Sequence, residues 1–278
     1  MLRTDTPTTL IESRLLGDTG ESRLVSMQSL SLRERFSIVS DILDEAEAKK
    51  IKYRFDVDDI AVSALAPQVQ ALINISRSFE PSEAYEDFLD DVTEETIHLL
   101  GQDKHILGAI QNWHLISDQD REETLTAVHA HTRSAANIVV YSPDIFDLTE
   151  MRFFDEGIED GLITNGYFRP ATGERKNRHI AINENPRSKF YKGVQAAALV
   201  VHETMHDQED QIADIVAADP YGPFSRFEDD AEITRLRREF SATIPTKLFP
   251  AYRRQWHEVL ARRCEDRVCD ALTAMTNG

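Results

Sequence analysis

The sequence is poor in cysteine, in basic charge and in uninterrupted hydrophobic runs. Only Cys264 and Cys269 occur among 278 residues. Both fall in a segment with helical patterning, where positions five apart face different directions, so neither a mutual disulfide nor a cysteine-based zinc finger is expected. A reducing compartment fits. Lys and Arg number 31 against 49 Asp and Glu, for a net charge of −18, which repels phosphate backbones and anionic lipid. Nucleic acid is therefore not an expected partner. No run of roughly 18 apolar residues occurs, so no membrane span is expected. The opening MLRTDTPTTLIESRLLGDTG lacks the basic start and apolar core of a secretory signal. The expected location is the cytoplasm, or outside the cell by a specialised, non-Sec secretion system, with which a polar Thr/Ser-rich start is compatible. The dinucleotide fingerprint GxGxxG, the P-loop, the GxSxG elbow and internal repeats are also missing.

What is present is a chain long enough for one large or two smaller cores, with 41% hydrophobic and 29% charged residues. Residues 1–30 read as a polar, flexible tail. In SLRERFSIVSDILDEAEAKK, Ser31 and Glu34 form a capping box ahead of Phe36, Val39, Leu43 and Ala46 at helical spacing. PSEAYEDFLDDVTEETIHLLG repeats the pattern, with Gly101 as the expected stop. The texture changes near residue 115. DREETLTAVHAHTRSA continues as helix, NIVVYSP reads as a short β-branched strand stopped by Pro143, and GYFRPATGERKNRHIAINENP reads as two strands around a polar turn. HIAIN alternates as an edge strand with one covered side. The expectation is mainly α with a small β component: a helical domain over 31–115 and an α+β domain over 116–278, which carries a long helix over about 194–218.

That helix holds HETMH. Residues four apart on a helix share a face, so His202 and His206 can direct ring nitrogens at one ion, with Glu203 beside them as a base that is not itself a ligand. Two imidazoles with a hard oxygen donor suit Zn2+. Against this stands an ordinary amphipathic helix with two histidines, and Asp207 and Gln208 are unusually polar neighbours for a zinc helix. AAALVV before the motif supplies a buried approach. A third ligand must come from a later segment, because Asp210 lies about 12 Å along the axis from His202.

Downstream, DPYGPFSRFEDDAEITRLRREF places Glu228 and Glu232 four apart on another helix. HExxH followed by Tyr-Gly and then Glu-Asp-x-Ala-Glu resembles the catalytic domain of anthrax lethal factor and its relatives among the gluzincin metallopeptidases. GYFRP and HIAINEN resemble the strand that precedes the active-site helix in such enzymes. The resemblance implies a zincin-like fold, His202, His206 and Glu228 as zinc ligands, Glu203 as general base, Tyr221 as the oxyanion-side phenol and Glu232 as an orienting residue. Asp219 is the rival ligand, and Glu228 could instead close a capping box from Ser225. His129, His131 and His257 read as packing or surface residues.

The function expected is zinc-dependent endopeptidase activity on a protein or peptide substrate, in a family whose members often act as secreted effectors or toxins. The competing reading is a non-catalytic zincin-like protein that binds metal for interaction or sensing.

Overall fold

The computed structural model describes residues 29–53, 62, 64–158, 163–171 and 177–277. The expected tail over 1–30 lies almost wholly outside the described residues. The fold is mainly helical, with one small sheet. Among the described residues no helix is long and apolar enough to cross a membrane. Two compact units are present: Met1–Pro81 with Glu232–Val259, and Ser82–Ala231 with Leu260–Gly278.

In the first unit, helix α1 (Leu32–Ala48) opens on the expected capping box. The Ser31 N–H donates to Glu34 at 2.9 Å and the Glu34 N–H donates to Ser31 Oγ at 3.3 Å. Its buried stripe is Phe36, Val39, Ile42 and Ala46, and Leu43 is only half-buried. Helix α2 (Pro67–Ser76) starts on a proline, whose missing N–H costs nothing in a first turn, and it buries Val69, Leu72, Ile73 and Ile75. Phe36 stacks on Phe79 with centroids 4.5 Å apart.

The second unit carries α3 (Glu83–Gln102), α4 (Lys104–Gln111) and α5 (Asp118–Val139), then strands β1 (Glu150–Phe154), β2 (Gly166–Arg169) and β3 (His179–Asn183), then α6 (Gly193–Ala218). Helix α7 (Glu228–Glu239) follows, then the short α8 (Phe249–Tyr252) in the first unit, and last α9 (Trp256–Asn277). The unit division falls within α7 and within α9. The boundary expected near residue 115 sits inside the second unit, because α3 and α5 pack along each other and the chain changes unit at Pro81. Gly101 lies inside α3, and the stop is Asp103, whose side chain accepts from the N–H groups of His105 and Ile106 to cap α4.

The NIVV run is helical rather than extended. It forms the last turn of α5, where Asn137 is buried and accepts from the Phe146 N–H through Oδ1 at 3.0 Å while Ile138 is exposed, and α5 ends before Tyr141 at a left-handed φ of 53°. The sheet has the order β1-β3-β2, with β1 parallel and β2 antiparallel to β3. HIAIN is thus the central strand and all five of its residues are buried. The edge position expected for it is taken by β1, which the sequence reading missed. The two strands around the polar turn are as expected. Helix α6 packs on β2 and β3. A Cβ on Gly166 of β2 would lie 3.0 Å from Ala181 O and 3.4 Å from the Leu199 side chain, so the missing side chain lets strand and helix approach.

Candidate metal centre

Helix α6 begins where Gly193 meets Trp113. A Cβ there would stand 2.9 Å from the indole Cγ, and the indole N–H donates to Phe190 O at 2.8 Å. From Ala196 to Val201 the helix is buried on all sides, which carries the chain through the core to His202. His202 is 4% exposed and Glu203 6%. One turn on, His206 presents its ring at 82° to that of His202, and the two Nε2 atoms lie 3.1 Å apart. An ion at about 2.0–2.1 Å from both nitrogens would subtend roughly 100° between them, close to tetrahedral. The two imidazole nitrogens thus face each other across one helical turn.

The acid beside the His202 ring within the same unit is Glu265, on α9, and it is 7% exposed. Glu265 Oε2 lies 3.2 Å from His202 Nδ1, and its other oxygen pairs with Lys189 Nζ. Burial works to raise the Glu265 pKa, but contact with His202 and Lys189 outweighs it and holds the carboxyl at about 2. On the second ring, Glu209 Oε2 lies 3.9 Å from His206 Nδ1.

The polar residues after His206 have partners on every side. Thr149 Oγ1 donates to Asp207 at 2.8 Å, Gln211 Nε2 donates to the same carboxylate at 3.0 Å, and Gln208 Nε2 donates to Thr132 O at 3.2 Å. Arg178 Nε donates to Asp210 at 2.9 Å. Burial raises the Asp207 pKa to about 7, against the lowering effect of its Thr149 and Gln211 hydrogen bonds. His129 contacts Thr204 Oγ1 through Nδ1 at 2.9 Å and Thr149 O through Nε2 at 3.1 Å. Burial lowers its pKa to about 4, so the ring is neutral, and its Nε2–H donates to the Thr149 carbonyl. It is a packing residue, as expected.

Of the residues expected from the sequence, His202, Glu203 and His206 come together and the downstream set does not. Asp219 is the C-cap of α6, about 20 Å along the helix from His206, too far for any ligand bond. Tyr221 is 96% exposed, with its N–H donating to Asp219 Oδ1 at 3.2 Å in a surface turn. Phe224 and Phe227 are anchored among Tyr85, Phe88 and Phe146, with the Phe88–Phe227 centroids 5.3 Å apart. Pinning these rings inward leaves Glu228 exposed at the start of α7. Glu232 is half-buried one turn further on, and among the described residues neither acid belongs to a cluster that could hold a metal.

Glu265 and Lys189 were missed. A signal for the acid exists in WHEVLARRCEDRVCDALTAM, since positions 261, 265, 268 and 272 form one helical stripe, otherwise Ala261, Val268 and Leu272, all buried. Acids on the apolar stripe of an amphipathic helix call for a buried partner. Comparisons of the chain with protein-family models, with curated proteins and with solved structures give no match.

Proposed function

We propose that the protein is a zinc-dependent peptidase of zincin-like design, with His202 and His206 as metal ligands and Glu203 as general base. The observation that carries this reading is the approach of the two Nε2 atoms to 3.1 Å one helical turn apart, with a glutamate adjacent to the first histidine. Two imidazoles are the nitrogen part of the donor set of catalytic zinc, which an acidic ligand completes while a position stays open. When bound, the ion supplies Lewis acidity and makes water a nucleophile near neutral pH.

The chain's own residues supply the rest. Glu203 takes the proton of the attacking water and delivers it to the leaving nitrogen, both within reach of one carboxylate. His202 and His206 are held by their helix one turn apart, so they need no rearrangement to act together. Extended peptide recognition falls to a sheet edge, β1 or β2, since β3 is paired on both sides. Export as an effector is part of the proposal only through the motif resemblance.

A second reading has an observation in its favour. His202 and Glu203 are both below 10% exposure, as in metal sites whose role is to hold a fold together. One experiment separates the two. Glu203→Gln is expected to keep its zinc and lose peptide hydrolysis by about 100-fold or more, the scale of a lost general base. Equal activity in wild type and variant, or no hydrolysis of any member of a peptide library by zinc-loaded wild type, favours the structural role.

A further inference from the structure

We propose that Lys189 and Glu265 are positioning residues that set the tautomer and orientation of the His202 ring. The inference rests on the metal reading above and deepens it. A neutral imidazole carries its proton on one nitrogen and its lone pair on the other. Glu265 Oε2 stands 3.2 Å from His202 Nδ1, and an ionised carboxylate only accepts. The proton therefore belongs on Nδ1, and the lone pair on Nε2 faces the point shared with His206 Nε2, 3.1 Å away.

Lys189 makes this arrangement durable. The Glu265 side chain is 9% exposed, and a carboxylate in that setting needs more than one donor. Lys189 Nζ takes the second oxygen. The lysine is itself fixed by its backbone: its N–H donates to Asn165 Oδ1 at 2.9 Å, and Ser188 Oγ caps the 3-10 turn Lys189–Tyr191 by accepting from Phe190 N–H at 3.1 Å. A turn between β3 and α6 thus holds the cation, α9 holds the carboxylate, and the ring on α6 is oriented between them. Outer partners of this kind typically govern metal affinity by 10–100-fold.

The test uses the full chain. Nitrogen-15 NMR of the labelled imidazoles, recorded without added metal, reads the tautomer directly, and competition with a chromophoric chelator reads Zn2+ affinity. Wild type is expected to show the Nδ1–H form at His202. Glu265→Ala is expected to shift that ring toward the Nε2–H form and weaken zinc binding by about tenfold or more. Lys189→Met is expected to weaken it by about tenfold, with Lys189→Arg restoring it. An Nε2–H tautomer in wild type, or wild-type zinc affinity in both Glu265→Ala and Lys189→Met, overturns the proposal. If Glu265→Ala does not fold, the Lys189→Met and Lys189→Arg pair decides. A wild type that binds no zinc defeats the metal reading alone, since the tautomer measurement still answers the positioning question.

Discussion

Glu258 and Glu228 both stand in the first turn of a helix, where a carboxylate is favoured by the helix dipole. What separates them is the neighbouring packing. Phe224 and Phe227 turn the backbone so that Glu228 meets solvent, while the buried stripe of α9 turns Glu258 inward. Zinc analysis of single variants tests the proposed ligands. His206→Ala is expected to lose zinc affinity by more than about 100-fold, beyond the range of outer partners, and Glu228→Ala to retain a full equivalent. His129 gives a second expectation. Its folded pKa is about 4, below the unfolded value near 6.5. The unfolded state therefore binds the extra proton, and the stability present above pH 6.5 is lost as pH falls toward 4, by about 3 kcal/mol in all. Denaturant titrations across that window should show a shallower pH dependence for His129→Gln than for wild type.

At the scale of elements, α6 is anchored at its first residue. Gly193→Ala forces a methyl group against Trp113, whose Cγ lies 2.9 Å from the new atom, and should cost about 1–3 kcal/mol by thermal or denaturant unfolding. The helices themselves were legible in the sequence: capping boxes and 3.6-residue periodicity located α1, α3 and α6 to within a residue or two. Legibility failed where tertiary packing decides. NIVV has strand composition but closes helix α5, where the polar Asn137 is the buried residue and Ile138 is exposed, so the helix that precedes it decides and not its own apolar residues. EMRFF, which forms β1, carries a charge in its middle and offers no clean alternation, so its pairing partner β3 defines it. HIAIN alternates as an edge strand would, yet both faces are covered once β1 and α6 are in place. The candidate site divides in the same way. A local spacing gave His202, Glu203 and His206, whereas a third ligand from a distant segment depends on which helix face the fold turns inward.

At the scale of the whole molecule, binding to the native state alone raises stability by mass action. A metal held through His202 and His206 at about 1,000 times its dissociation constant would add roughly 4 kcal/mol. Stripping with a strong chelator should lower the melting temperature, and stoichiometric Zn2+ should restore it. A melting curve unchanged by chelator in a zinc-loaded sample runs against the site. The order of the chain adds one more consequence. HETMH lies on α6, while Glu265 lies on α9, beyond a segment that belongs to the other unit. A ribosome therefore releases the histidines well before it makes Glu265, and the His202 ring lacks that carboxylate neighbour until α9 has emerged.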